Sequence, residues 1–309
     1  MFSNDDEILI SLLPLDIATE LPSVEGKFEP GEGHLQQIRL IPESIASDKS
    51  TALCKIGTAT TNEQFREWCL SKLGGAKLWA LPLNVIMVEV TYGGSVSPMS
   101  HGAGITHPTL SDLVAEVEFV DPNGEVHTVS DPELLKAAAG AIGMLGVVTA
   151  YTLRLDKMTY ANMRPCRVPI ELAVPPPQEY IDLAKKGDPR YRWIKDLVAQ
   201  HSQEKIDKAL AEFIRRAETD YYAEWFWFSQ QRDVWVNTWK NDGLQAQATE
   251  IPNEFQIFLQ WLEEWLAQQL VDWGVWQALP GDLQAKLFGF LTMSQLPNVA
   301  PDEPASRFL

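Results

Sequence analysis

Residues 91–104, TYGGSVSPMSHGAG, decide how this chain is read. Ahead of them, residues 84–90 (NVIMVEV) have the pattern of a buried strand, which delivers the chain to the pair Gly93-Gly94. A short loop then brings His101-Gly102 and Gly104. Glycines clustered behind a strand let a backbone approach a ligand closely, because no Cβ intervenes and positive φ costs little. N–H groups left without partners in such a loop can hold phosphate oxygens. The spacing is neither G-x-G-x-x-G nor a Walker loop, so neither common nucleotide fingerprint is met.

Working outward, residues 110–120 (LSDLVAEVEFV) end in a strand where Ala115, Val117 and Phe119 alternate with Glu116 and Glu118. Asp121-Pro122-Asn123-Gly124 has turn composition, and residues 125–129 return as the second strand of a hairpin. Asp131 is placed as an N-cap with Pro132 at the first helical position, opening a short helix to Ala139. The run GAIGMLGVVT, residues 140–149, is a glycine-punctuated return into a strand that ends near Leu155. On the near side, Thr61-Asn62-Glu63-Gln64 is a capping box starting a helix with Phe65, Trp68, Cys69 and Leu73 on one face, stopped by Gly74-Gly75.

In this order the pieces resemble the FAD-binding domain of the vanillyl-alcohol oxidase / p-cresol methylhydroxylase superfamily. The matching residues are Gly93, Gly94, Ser97, His101 and Gly102, then Asp112, Val114, Val120 and Gly124, then Gly143, Gly146, Val147 and Val148. They span residues 56–155, about a third of the chain. The resemblance implies FAD as cofactor, its pyrophosphate and flavin edge wrapped by Gly93, Gly94, Ser97, Ser100, His101, Gly102, Gly143, Gly146, Val147 and Val148, largely through backbone atoms. Family members also carry an R-[ST]-G-G-H-S loop, and nothing like it occurs in residues 1–54. The nearest stretch, residues 31–34 (GEGH), lacks the paired glycines and has acidic neighbours, so it reads as a surface turn. The expectation is therefore an incomplete flavin domain in residues 1–157.

Composition sets outer limits. At 309 residues, with 45% hydrophobic and 22% charged residues, the chain has room for two domains and a sizeable core. A net charge of −17 argues against nucleic acid or an anionic membrane as partner, since both require Lys/Arg-rich faces. No uninterrupted apolar run is long enough to span a bilayer, and no signal-peptide pattern opens the sequence. The three cysteines, Cys54, Cys69 and Cys166, are widely spaced, which favours free thiols in a reducing, cytoplasmic setting. The five histidines form no zinc pattern, so no metal is expected.

From Met158 the character changes, with Pro165, Pro169 and Pro175-Pro176-Pro177 marking a connector. A helix is expected over residues 196–217, with Ile206, Leu210, Phe213 and Ile214 along one stripe. Two aromatic strands follow, residues 220–228 (DYYAEWFWF) and 234–239 (VWVNTW). In the first, Tyr222, Glu224, Phe226 and Phe228 share one face while Tyr221, Ala223, Trp225 and Trp227 share the other, which suggests a sheet covered on both sides. A last helical region is placed at residues 254–279. Residues 158–309 resemble the substrate (cap) domain of the same superfamily, its cholesterol oxidase branch in particular, and no closing element is evident after Ala300. The fold class expected is thus α+β: part of a flavin domain, then a cap domain with an antiparallel sheet.

Glu224 reads two ways. A carboxylate among Tyr222, Trp225, Phe226 and Trp227 would be desolvated and pushed toward the basicity a general base needs. The plainer reading pairs it with an Arg or Lys. His101 likewise is either a donor beside the flavin or a residue that shapes its own loop, and Asn237 either orients a substrate oxygen or satisfies a sheet edge. Asp112 reads as a cap. The function implied is an FAD-dependent oxidoreductase acting on a small alcohol or sterol-like molecule, with Glu224 as catalytic base. The alternative is a non-catalytic relict of that fold serving as a binding module.

Overall fold

The computed structural model describes residues 34–71, 78–83, 85, 87, 89–105, 109–244, 246, 254–296, 298 and 306–308. The chain is α+β and divides into two units. The first comprises Met1–Gly102 and His107–Thr159; the second comprises Ala103–Thr106 and Tyr160–Leu309. Among the described residues no helix is long and apolar enough to cross a membrane.

The first unit is built on a six-stranded antiparallel sheet. Its strands are β1 (Ile38–Ile41), β2 (Thr51–Gly57), β3 (Trp79–Ala80), β4 (Val114–Val120), β5 (Val126–Val129) and β6 (Val147–Lys157). They lie in the order β1-β2-β6-β4-β5, with β3 also on β6. The long strand β6 is central: its residues 150–153 and Leu155 are buried, with Cys54 of β2 facing Leu153 and Val117 of β4 facing Tyr151. Helix α1 (Asn62–Leu70) starts at the Thr61 capping box: Thr61 Oγ1 accepts from Gln64 N–H and Gln64 Oε1 accepts from Thr61 N–H. It presses Phe65, Trp68 and Cys69 into the same core. The hairpin turns at Asp121–Gly124 as expected, with Asp121 C=O accepting from Gly124 N–H at positive φ. Asp131 caps α3 (Pro132–Ala138), accepting from Glu133 and Leu134 N–H.

Two expectations in this unit change. The described positions Val85, Met87, Glu89 and Val90 are not in the sheet. Asn62 takes the place of a strand partner: its Nδ2 donates to Val85 C=O (2.8 Å) and its N–H to Val90 C=O (2.9 Å). The glycine pair then belongs to a short helix, α2 (Tyr92–Val96), capped by Thr91, rather than to an open loop. The Gly74-Gly75 stop lies outside the described residues, as does residue 31–33 of the GEGH turn.

The second unit carries a five-stranded antiparallel sheet of β7 (Ala161–Met163), β8 (Cys166–Pro169), β9 (Tyr222–Trp227), β10 (Asp233–Lys240) and β11 (Ser306–Phe308). Strand β10 is its centre; β9 takes one edge, while β7 and β8 share the other end to end. The strand at residues 306–308 pairs with β7, a closing element the sequence did not announce. Helices α4 (Ile170–Ala173), α5 (Gln178–Lys185), α6 (Arg192–Val198) and α7 (Gln203–Thr219) follow β8. The single helix expected over 196–217 is two. Ser202 caps α7 by accepting from Lys205 N–H, and His201 turns aside to donate to the buried Glu171 carboxylate (2.9 Å). The C-terminal helical region continues past Leu279: α8 (Glu254–Asp272) and α9 (Val275–Ala278) are followed by α10 (Gly281–Gln295). The aromatic sheet is covered at one end only: Tyr222 is buried and Phe213 of α7 packs on Trp225, but Phe226 and Trp227 at the far end are exposed.

Candidate functional site

In the first unit, the site begins at Thr58, fully buried where β2 ends. Its N–H donates to Thr149 C=O (3.0 Å), its Oγ1 donates to Val148 C=O (2.9 Å), and its own C=O accepts from Gly93 N–H (2.9 Å). One residue thus ties the glycine helix to the start of β6. A Cβ on Gly93 would lie 3.0 Å from Thr58 Cβ and O, tighter than ordinary contact, so the bare Cα suits the packing there. The N–H groups that open α2 are all engaged inside the fold: Tyr92 to Thr60 C=O, Gly93 to Thr58 C=O, Gly94 to Thr91 Oγ1, and Ser95 to Thr91 C=O. None of these N–H groups is free to hold a phosphate. Burial drives the Tyr92 phenol well above its usual range, so its O–H stays on and donates to Asn62 Oδ1. Thr58 was not singled out from sequence; a threonine after a strand carries no signal of its own.

Among the described residues, the N–H groups of His101, Gly102, Ile142 and Gly143 make no hydrogen bond. Both stretches follow strained turns. Met99 (φ +57) and Ile142 (φ +49) are in the left-handed region, and Gly143 (φ +80) and Gly146 (φ +125) continue it. For a β-branched residue such as Ile142 this conformation costs on the order of 1–2 kcal/mol, and such strain clusters at ligand sites. Ile142 and Met144 are exposed, as is Val147, while Val148 packs into the core. The two stretches meet where the Met99 thioether lies on Gly140. His101 Nδ1 is 2.9 Å from Gly102 C=O, so its ring shapes its own loop. Ser97 is half-buried and bonded to Tyr151; burial raises that phenol and the Ser97 bond draws it partly back. Ser100 is exposed. A free-donor pair on each of two loops, with little side chain over either glycine, fits an anionic group such as a pyrophosphate.

Asp112 is a cap, as read: its carboxylate accepts from Thr109 N–H and Oγ1. Asp121, Glu125 and His127 bring ligand atoms within 4.8 Å of one another, but the Asp121 carboxylate is already taken by the N–H groups of Asn123 and Glu125, which close the hairpin.

In the second unit, Glu224 sits in the middle of a ladder on one face of the sheet. Its cross-strand partner is Asn237; the flanking pairs are Tyr222 with Trp239 and Phe226 with Trp235. Glu224 Oε2 accepts from Tyr222 O–H (2.8 Å) and Oε1 from Asn237 Nδ2 (2.6 Å). Among the described residues it forms no ion pair, so the plainer reading of a strand Glu held by a cation is not what the geometry gives. Tyr222 stacks on Trp239 with centroids 3.7 Å apart; Phe226 meets Trp235 edge-on at 6.3 Å, and Phe228 extends the row to Phe288 of α10. The result is an aromatic wall, stacked and buried at the Tyr222 end, tilted and open at the Phe226 end, with a half-buried carboxylate between. Asn237 is itself buried and its Oδ1 has no partner. The stretch Ala103–Thr106, which continues from His101-Gly102, belongs to this unit, and Ala223 N–H donates to Ala103 C=O (2.8 Å) one residue from Glu224. A cavity of about 570 Å³ lined by Arg167, Arg232, Phe290 and Met293 lies elsewhere in the unit and does not include Glu224.

No protein-family model matches the chain. Alditol oxidase from Streptomyces sp. (strain IKD472 / FERM P-14339) is 29% identical over 130 residues, 41% of this chain and 30% of that enzyme. D-arabinono-1,4-lactone oxidase from Saccharomyces cerevisiae is 27% identical over 99 residues, 31% of this chain and 19% of that enzyme. The homologues are FAD-linked oxidases of the p-cresol methylhydroxylase type. A solved structure, a solvent-stable cholesterol oxidase, superposes with a TM-score of 0.50 over 84% of this chain and 46% of its own, at 13% identity. That likeness speaks for the fold, which is cholesterol oxidase-like. Each match spans less than half of the other protein's length.

Proposed function

We propose that this chain is the working part of an FAD-dependent oxidoreductase that oxidises an alcohol, with residues 1–157 contributing to the flavin domain and 158–309 to the substrate (cap) domain. The observation that carries the reading is the pair of glycine turns in the first unit, with unengaged N–H groups at His101-Gly102 and Ile142-Gly143. It is supported by similarity to FAD-linked oxidases. FAD, when bound, supplies the hydride acceptor at its flavin N5. The N–H groups of His101, Gly102, Ile142 and Gly143 would hold its phosphates; Gly93, Gly94, Gly146, Val147 and Val148 shape the surface, while Ser97 and Ser100 border it.

Glu224 takes the hydroxyl proton as the alcohol carbon gives up its hydride. Its carboxylate is set for this by two donors, Tyr222 O–H and Asn237 Nδ2, which hold it in one orientation without a counter-ion. The aromatic pairs on either side of it in the ladder favour an apolar alcohol over a polyol. A polyol would need polar partners for each hydroxyl, and the Tyr222 and Asn237 donors are already committed to Glu224.

The test is an absorbance spectrum of the purified chain, taken after FAD is added and the sample desalted. Retained flavin bands are expected, followed by anaerobic bleaching with apolar alcohols and sterols more than with alditols. Glu224→Gln should keep the flavin and slow bleaching by on the order of 100-fold or more. A colourless protein sinks the enzyme reading. It would leave the second one, a non-catalytic binding module, which the absence of an R-[ST]-G-G-H-S motif in residues 1–54 favours.

A further inference from the structure

We propose that Met99 is a latch between the two glycine loops of the first unit and a site of methionine oxidation that releases it. Met99 holds the left-handed position just beyond α2, a place usually filled by glycine: Ser100 N–H returns to Ser95 C=O (3.1 Å) and Met99 N–H to Val96 C=O (2.9 Å). A long side chain is uncommon there, and its contact supplies the reason. Met99 Sδ and Cγ lie so near Gly140 that a Cβ built on that glycine would fall 2.7 and 2.8 Å from them. The thioether therefore spans from the loop carrying His101-Gly102 to the loop carrying Ile142-Gly143. A side chain on Gly140 would have to displace the Met99 thioether. Met99 is nevertheless 51% exposed, so a small oxidant reaches it.

The oxidant is hydrogen peroxide. A sulfur lone pair attacks one peroxide oxygen; the S–O bond forms as the O–O bond breaks. The proton on the transferred oxygen passes to the departing hydroxide, which leaves as water. Sulfur loses two electrons and peroxide gains them, so thioether and hydrogen peroxide become sulfoxide and water. The sulfoxide is larger and polar, cannot lie on the bare Cα of Gly140, and frees the 140–146 loop. The latch stands on geometry alone; its bearing on cofactor retention rests on the flavin reading above.

The experiment uses the full chain without added cofactor, treated with graded hydrogen peroxide. Peptide mapping follows the gain of one oxygen at Met99 and at Met144, which is 83% exposed and serves as comparison. Amide hydrogen exchange is measured across residues 140–146 in the parent, Met99→Leu and Met144→Leu. Oxidation of Met99 should raise exchange there about tenfold or more in the parent and in Met144→Leu, and a methionine sulfoxide reductase should reverse it. Met99→Leu, which keeps the volume without the sulfur, should not respond to peroxide. Stoichiometric Met99 sulfoxide with unchanged exchange would overturn the proposal. So would a Met99→Leu variant that loosens with peroxide as the parent does, or a Met99 that stays reduced once Met144 is fully converted. Because the parent's own oxidation series is a complete test, a poorly folded variant does not decide the outcome. None of these readouts needs flavin, so a colourless protein leaves the result standing.

Discussion

Gly146→Ala should unfold the first unit at markedly lower denaturant. Gly146 adopts φ +125, a region closed to residues with a side chain, and the strain of forcing alanine into it is about 1–3 kcal/mol. Space is a second obstacle. The new Cβ would sit 2.1 Å from Val120 O, 3.0 Å from Val120 C and 3.2 Å from Asp121 Cα, all backbone atoms with no rotamer to swing away. Ordinary contact begins near 3.4 Å, so Val120 would have to retreat by more than 1 Å. Val120 faces Val147 in the last register pair of β4 and β6, and that shift breaks the ladder at its end, at a further cost of about 1 kcal/mol per hydrogen bond lost. With one such bond lost, these give about 2–4 kcal/mol. Gly143→Ala is the control: it has positive φ (+80) but open space around its Cβ, and should cost only about 1 kcal/mol. Nine of the eleven tryptophans lie in the second unit, so urea unfolding is followed by amide hydrogen exchange across β4 and β6, which reports on this unit alone. A Gly146→Ala variant no less stable than Gly143→Ala would show that the β4–β6 junction yields, and the packing argument would be wrong.

Two further expectations concern the same unit. Glu63, half-buried in the first turn of α1, is pushed up to about 7 by burial first, then by Glu67 and Glu89 against the pull of Arg66. The folded state thus keeps this proton longer than the unfolded chain, whose value is 4.5, so stability declines as pH rises from about 4.5 to about 7 and is level beyond. Glu63→Gln should abolish that decline and be more stable than the parent at pH 8 by about 1 kcal/mol, the full shift being discounted for solvent and for the helix N-terminus; urea midpoints at pH 4.5 and pH 8 that fall in parallel for both proteins would contradict it. Ile142→Asn replaces a β-branched residue at φ +49 with one that tolerates it, and should raise the thermal midpoint by an amount equivalent to about 1 kcal/mol; a drop would mean that the Ile142 side chain is held by contacts worth more than its strain.

Where the sequence was readable, the signal was local chemistry. Thr61 with Gln64, Asp131 with Pro132, and Asp121 through Gly124 each specify a structure within four residues, and each formed as written. The pairing of Glu224 with Asn237 was half legible: alternation put Glu224 on a face with Tyr222 and Phe226, but register across β9 and β10 is set by both strands together. What stayed hidden was long-range. Asn62 stands in for a strand partner: its side-chain amide collects the carbonyls of Val85 and Met87, and these apolar positions lie outside the sheet. The break at His201 depends on Glu171, thirty positions earlier and invisible to any window along α6 and α7.

The glycines make the same point in reverse. Gly93 and Gly94 gave the strongest sequence signal for a ligand, yet their N–H groups bind Thr58 and Thr91, and the missing Cβ of Gly93 is answered by Thr58. A glycine records that something comes close, not whether it is cofactor or protein. The residues that break local rules without a packing reason of this kind are more informative. Ile142 is strained, exposed and β-branched, and the N–H groups beside it have no partner among the described residues. Folding alone would favour asparagine or glycine at that position. An unfavourable residue next to unengaged donors is what a binding loop retains when the ligand, rather than the fold, sets its shape. Ile142→Asn separates the two: a gain in stability accompanied by weaker FAD retention would place the selective reason in the ligand, whereas a gain with retention unchanged would place the cofactor's donors elsewhere.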